Sequence, residues 1–467
     1  MAHVILGHCC KDVSCLNACP RDCIRPRPGD TDFATTPTLH IDPNSCIDCT
    51  ACVDACPTSA IKADHALTAT EQHHLRRNSD YFANTRPRTT PGRRPATPLP
   101  RPSGVGDRRP RIAVVGAGPA AMYTIRELLR RSSFVDVTVY ERHAHLGGLL
   151  RTAIAPDTGL REMLSLFDVP FGDDRVHVVY NTEIGRDLSL DALRRRFDAV
   201  VFAHGASIPR PLTRSDSTMP AGVCDALDVL AGVNNPSPTA PPTLGPHCLI
   251  VGGGNVALEV IRHLAHRHST SPSIAALTQV TVLSRACADR SAFATPAMQD
   301  ILALPNLSIH TTRTLEHEPG SAADQPLRPA MDHLANPNDR DDTRLPVVFC
   351  FEQHVTNIES TGTGELTVYT TGGHTFLAST VVRAIGFRTA PIDGLPETHN
   401  GQILNRNGRV ISPTTRDPLR GLYVVGWAKR GAHGGIGENR VCAAETVEQL
   451  AIDLHLTRPT HQRGTAM

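Results

Sequence analysis

The sequence predicts an α/β protein, with a small α+β domain at the N-terminus followed by two three-layer α/β domains in tandem. Three observations predict this. Nine of the fourteen cysteines fall between positions 9 and 56. A segment dominated by proline and arginine, Thr85 to Arg111, comes after them. Beyond it, a β-rich run, a glycine turn and a stretch of helical spacing occur in that order twice, starting near Arg111 and His247. Strands alternating with helices build parallel sheets covered on both faces. A length of 467 residues agrees with about three domains.

Composition narrows the partners. The formal net charge is +1, which argues against nucleic acid or an anionic membrane as the main partner. No apolar run approaches the ~18 residues that span a bilayer, so membrane insertion is not expected. The opening "MAHVILGHCCKD" lacks a basic stretch followed by a long apolar core, and a cytoplasmic location is expected. In that compartment dense cysteines mean metal ligation rather than disulfides. Cys224, Cys248, Cys287, Cys350 and Cys442 are scattered singly and read as small buried hydrophobes.

In the N-terminal domain, residues 46–57 read "CIDCTACVDACP". C-x2-C-x2-C-x3-C-P is the ligand run of bacterial-type ferredoxins, in which the fourth cysteine ligates the other of two clusters. "CCKDVSCLNACP" upstream supplies the remaining ligands. Cys19–Pro20 mirrors Cys56–Pro57, and Cys15 stands four positions before Cys19. By this pseudo-symmetry Cys19, Cys46, Cys49 and Cys52 hold one [4Fe–4S] cluster. Cys15, Cys56 and either Cys9 or Cys10 hold the second. The first half lacks a clean C-x2-C-x2-C, so the second centre is expected to be [3Fe–4S], with [4Fe–4S] as the alternative. Cys23 is expected beside a cluster without ligating it. A pair of zinc sites is the competing reading, but zinc motifs seldom use this spacing.

Seven prolines and a single acid, Asp107, make Thr85–Arg111 an extended linker. After it, "RIAVVGAGPAAMYTIRELLRR" is a strand, a glycine loop and a helix. Gly116 makes the tight turn, Gly118 lets a pyrophosphate approach the backbone, and Ala121 allows close helix–strand packing. Glu141, 25 positions after Gly116, ends the next strand and suits a ribose hydroxyl pair. "HCLIVGGGNVALEV" repeats the pattern with Gly252, Gly254 and Ala257. Its following strand ends in Ser284 and Arg285, and a cation there suits a ribose 2′-phosphate, which marks an NADP site. Two Rossmann-like folds behind an iron–sulfur domain describe electron transfer from nicotinamide to flavin to cluster. The resulting division is 1–65 for the iron–sulfur domain and 66–110 for the linker. Residues 111–215 with 376–467 form the FAD domain and 216–375 the NADP domain. "SAADQPLRPAMDHLANPNDRDD", 321–342, reads as a surface excursion.

From Arg111 to about Asp453 the chain resembles the adrenodoxin reductase-like ferredoxin–NADP reductases. With the N-terminal domain added it resembles the ferredoxin/ferredoxin–NADP reductase fusions. The stretches that carry the resemblance are "VVGAGPAAMY", "GLLRTAIAPD", "VGGGNVALEV", "AIGFRTAPIDGLP" and "GLYVVGWAKRGAHGGIGENR". The resemblance implies a flavin-dependent ferredoxin–NADP+ reductase. Its partners would be NADPH and an external ferredoxin or a redox acceptor such as a monooxygenase. It places Glu141, Leu149 and Leu188 on FAD. Trp427, Gly434 and Ile436 lie along the isoalloxazine, with Gly434 also near the nicotinamide. It places Gly253, Asn255, Val256 and Arg285 on NADP. Three positions depart from the family. Thr158 replaces a histidine, Ala286 the second of two arginines, and Ala297 a glutamate. These changes leave flavin binding intact and weaken nicotinamide handling. They raise a second reading, a diverged flavo-iron–sulfur carrier or sensor with weak NADPH turnover.

Overall fold

A computed structural model describes residues 2–19, 21–46, 48, 50–83, 109–154, 164, 168–212, 219–234, 242–268, 276–290, 292–293, 295–311, 344–362, 364–432 and 436–456. Cys49, Thr158, Gly434, most of the linker and the 321–342 excursion lie outside these residues.

In the head, β1 (His3–Ile5) pairs antiparallel with β4 (Ile61–Ala63), and β2 (Ile24–Arg25) with β3 (His40–Ile41). Two five-residue helices, α1 (Ser14–Ala18) and α2 (Ala51–Ala55), lie between them. Both are entered through a left-handed residue, Val13 or Thr50, and both leave into an extended cysteine, Cys19 or Cys56. The local repeat read from Cys–Pro is therefore a repeat of backbone.

A third helix, α3 (His73–Ala83), lies inside the 66–110 span that the sequence assigns to linker. This corrects the boundary. The buried Asn78 amide accepts from Ile5 N at 3.2 Å and Ile41 N at 2.9 Å, and donates to Ile5 O at 2.9 Å. One side chain thus satisfies backbone groups of two strands, which composition does not report. His40 stacks on Tyr81 with ring centroids 4.5 Å apart. Through residue 83 the chain belongs to the head.

The first glycine loop sits on a seven-stranded sheet. β5 (Arg111–Val115) leads into α4 (Pro119–Arg131) and β6 (Asp136–Tyr140). Then come β7 (Val176–Val179), α5 (Leu190–Arg196) and β8 (Ala199–Phe202). β8, β5, β6 and β7 pair in parallel in that order. β5 is apolar on both faces and buried from Ile112 to Val115, as a central parallel strand must be.

The second loop sits on a six-stranded parallel sheet. Its elements are β9 (Val223–Asp225), α6 (Ala226–Asn234), β10 (His247–Val251), α7 (Asn255–His268), β11 (Gln279–Leu283), α8 (Thr295–Leu302), β12 (Leu307–Thr311) and β13 (Leu345–Cys350). An antiparallel meander follows, β14 (Val355–Ser360), β15 (Leu366–Thr370) and β16 (Thr375–Ala378). β17 (Thr380–Arg383) then enters the six-stranded sheet between β9 and β10. Arg383 clamps Asp225 bidentately at 2.8 and 3.0 Å. "STVVR" therefore closes the second sheet instead of starting the return to the first, and the expected boundary at 376 moves to the 386/387 junction.

From Phe387 the chain returns to the first sheet. β18 (Asn405–Arg406), β19 (Arg409–Ile411) and β20 (Pro418–Val424) add to its β8 edge, β20 in parallel. α9 (Trp427–Arg430) follows, and α10 (Glu438–Asp453) packs on α4. The head and the second sheet form one compact unit with Pro209–Gly386, and the first sheet with its return strands forms another. Among the described residues no helix is long and apolar enough to cross a membrane.

Candidate functional site

The first glycine loop is built for close approach. Gly116 has φ +95°, and a Cβ there would stand 2.7 Å from His204 Cα and 2.9 Å from Ala203 O. Only glycine fits. Gly118 caps α4, with Pro119 at its first position and Ala121 fully buried beneath. A Cβ on Gly118 would meet only Gly148 Cα, at 3.9 Å, so the helix N-terminus is left open for a phosphate. Gly148 forms the facing wall: its own Cβ would be 3.1 Å from Gly118 Cα. The sequence reading passed over Gly148, although the "GG" pair behind the second strand signals it.

Glu141 is 4% exposed and does more than await a ribose. Its Oε2 accepts from Ala117 N at 2.8 Å and its Oε1 from His143 N at 2.9 Å. The carboxylate pins the glycine loop to the end of β6 and retains lone pairs for further donors. Leu149 and Leu188 are half-buried, and Leu188 packs against the core under the sheet. His204 is half-buried behind the loop, where desolvation pushes its imidazole down to about 4. Trp427 is half-buried at the start of α9, entered through Gly426 at φ +67°. Ile436 is half-buried as well, and its carbonyl accepts from Asn439 N at 3.1 Å. The Arg430–Glu438 ion pair, at 2.8 Å, and Arg430 on Asn439 Oδ1, at 3.0 Å, brace this segment.

The second loop has the same turn and a different end. Gly252 has φ +116°, and a Cβ there would overlap the Ala384 carbonyl oxygen. Gly253 lies 3.1 Å from Ser284 Cβ by the same measure, whereas Gly254 is open. Asn255 starts α7 and is exposed, with Val256 half-buried behind it. Ser284 is buried and its Oγ donates to Ala286 O at 3.2 Å, which shapes the turn that carries Arg285. Arg285 is exposed. No acid occupies the place that Glu141 fills in the first loop.

In the head the described thiols sort into two groups. Cys15 is buried, and after desolvation the charges that push it up are those of Cys9, Cys56, Asp12 and Cys52. Cys9 is driven up to about 11, mainly by burial. Cys19 lies 3.3 Å from Cys23, sulfur to sulfur. The hydrogen bond from Cys23 draws Cys19 down to about 6, and Cys23 is raised in return. Cys46 and Cys52 also act on Cys23. Buried sulfurs with this much mutual repulsion ionise together only around a compensating cation. An iron–sulfur cluster fits that donor set.

Of Cys9 and Cys10, the first packs into the head core beside Cys15 and Cys56, and the second does not. An offset of 37 residues lays Cys9, Cys15 and Cys19 on Cys46, Cys52 and Cys56. The residue laid on Cys49 is Asp12, a position the sequence reading missed. Asp12 is 4% exposed, and its carboxylate accepts from Ser14 N at 3.0 Å and from Ser14 Oγ at 2.5 Å. Of the scattered cysteines, Cys248, Cys350 and Cys442 are buried and Cys224 and Cys287 are half-buried.

Comparison with known proteins follows the same division. Residues 110–317 match the pyridine nucleotide-disulphide oxidoreductase family, and residues 39–62 match the 4Fe-4S binding domain. A probable ferredoxin/ferredoxin–NADP reductase of Mycobacterium leprae is 32% identical over 97% of this chain and 87% of its own length. A protein of the same description from Mycobacterium tuberculosis is 34% identical over 100% of this chain and 86% of its own. The structure of Mycobacterium tuberculosis FprA in complex with NADPH is similar with a TM-score of 0.63. It is 25% identical and covers 74% of this chain and 85% of that one.

Proposed function

The chain belongs to the ferredoxin/ferredoxin–NADP reductase family, and from that premise we propose that it takes electrons from NADPH and delivers them to iron–sulfur centres in its own head. It is a flavin-dependent electron-transfer oxidoreductase. The observation that carries the reading is the pair of glycine loops whose next strands end in Glu141 and Arg285. One loop offers an acid for ribose hydroxyls, the other a cation for a 2′-phosphate. FAD, bound at the first loop, supplies the exchange between a two-electron donor and one-electron carriers. Each NADPH consumed yields NADP+, one proton and two single-electron reductions.

Each segment has a task in this reading. Gly116, Gly118 and Ala121 bring the α4 N-terminus to the flavin pyrophosphate, and Glu141 holds that loop. Leu149, Leu188, Trp427, Gly434 and Ile436 wall the flavin and exclude water. Gly252, Gly253, Gly254, Asn255, Val256 and Arg285 hold the nicotinamide nucleotide. Cys19, Cys46, Cys49 and Cys52 hold a [4Fe–4S] cluster. Cys9, Cys15 and Cys56 hold a [3Fe–4S] cluster, supported by Asp12 standing where a fourth ligand would be. Beyond the head, an external ferredoxin or a monooxygenase takes the electrons.

Anaerobic stopped-flow with NADPH tests the proposal. Loss of flavin absorbance followed by cluster reduction and its EPR signal is expected. Flavin loss without cluster reduction breaks the chain of transfer. Ala286, Ala297 and Thr158 favour a second reading, weak NADPH turnover by a carrier or sensor. Full FAD content with negligible flavin reduction by NADPH selects it.

A further inference from the structure

Away from the cysteines and the glycine loops, one group of ionisable side chains is buried with its hydrogen bonding incomplete. His73 and His74 open α3 of the head, and Asp300 lies on α8 beside the second sheet, within one compact unit. His74 is 2% exposed, and its Nε2 lies 3.1 Å from Asp300 Oδ1. His73 Nε2 lies 3.8 Å from the same oxygen. The two imidazole centroids are 3.8 Å apart. Gly7 makes room for the carboxylate, since a Cβ there would be 2.6 Å from Asp300 Oδ2.

The His73 ring is fixed locally. Its Nδ1 is 2.8 Å from the Thr70 carbonyl oxygen, which can only accept, so Nδ1 carries a hydrogen. In the neutral ring Nε2 is then a bare lone pair. It is buried and has no hydrogen-bond partner. A lone pair facing a carboxylate is repulsive unless a cation stands between them. His8 Nε2 is likewise buried and without a hydrogen-bond partner.

We propose that His73, His74 and Asp300 bind one divalent transition-metal ion, zinc by donor type, at a site bordered by His8 that clips the head to the second nucleotide fold. Two imidazoles and a carboxylate are a zinc donor set, and His73 already has the backbone carbonyl partner that orients a ligating histidine. Zinc–ligand bonds of about 2.0–2.1 Å place tetrahedral donors about 3.3 Å apart. The observed 3.1 and 3.8 Å separations straddle that value. Closing the ion inside is a local adjustment.

The test uses the full chain, purified anaerobically with flavin and clusters in place. One zinc per chain by elemental analysis is expected, and its X-ray absorption should show nitrogen and oxygen neighbours near ~2.0 Å and no sulfur near ~2.3 Å. Asp300→Asn should weaken zinc binding by at least about 100-fold. His73→Gln, at a half-exposed position that tolerates the change, should do the same if Asp300→Asn folds poorly. His65→Gln, in the head but outside the cluster, should bind as the parent does. A sulfur shell, no zinc uptake by the cluster-loaded chain, or unchanged affinity in the folded variants each overturns the proposal.

Discussion

The two glycine loops share one backbone and differ at the end of the strand that follows. In the first, the Glu141 carboxylate accepts two backbone N–H bonds and becomes part of the loop it serves. In the second, the turn is shaped by Ser284 bonding to Ala286 O, and Arg285 projects into solvent. The acid is therefore structural as well as a proposed ribose ligand; the cation is a proposed phosphate ligand alone. The head carries a second such pair, with Asp12 in one cysteine run at the place of Cys49 in the other. In both pairs the sequence pattern repeats around one differing side chain, which in the proposed function sets what each copy binds.

The sharpest way to break this comparison is Asp12→Cys, which makes the two cysteine runs alike. On the proposed cluster assignment, EPR of the oxidised protein should lose the [3Fe–4S] signal entirely, with iron content rising by one per chain. Retention of the parent spectrum would separate Asp12 from cluster type. Gly252→Ala comes next: positive φ and overlap with Ala384 O should cost roughly 3–5 kcal/mol. Thermal unfolding should fall markedly and NADPH should no longer reduce the flavin. Glu141→Ala leaves the buried Ala117 N–H unpaired, at about 1–3 kcal/mol, and releases the exposed His143 N–H to water. The purified protein should lose flavin, seen in the visible spectrum. Arg285→Ala removes a ligand without disturbing the turn. KM for NADPH should rise tenfold to about 150-fold, for a loss of about 1.5–3 kcal/mol, with KM for NADH unchanged. If flavin content also falls, the two strand ends are not functionally separate. Ala286→Arg should have the smallest effect, a gain in NADPH preference of roughly threefold to tenfold.

Legibility in the sequence followed the range of each interaction. Gly116, Gly118, Glu141, Gly252 and Arg285 were readable because turn, helix start and strand end fall within about thirty residues of one another, the span of one βαβ unit. Cys9 against Cys10 stayed open, because adjacent cysteines serve the same motif, and packing beside Cys15 and Cys56 separates them. The boundary at 376 was misplaced, since "STVVR" is a sound strand for either sheet. Its place is decided by pairing with β9 and β10 and by the Arg383–Asp225 clamp. The polar surface of α3 matches a linker in the sequence, and its anchor is a single asparagine bonded to strands 37 and 73 residues away.

The sequence by itself determined the kinds of chemistry present: clustered thiols, two dinucleotide turns, one acid and one cation to tell them apart. Each is a short pattern whose meaning rests on local backbone geometry. Only the tertiary structure decided which strands close each sheet, where the head ends, and that His73 and His74 meet Asp300. These depend on partners far apart in the chain, and no local spacing encodes which of many equally apolar or polar surfaces a segment will find.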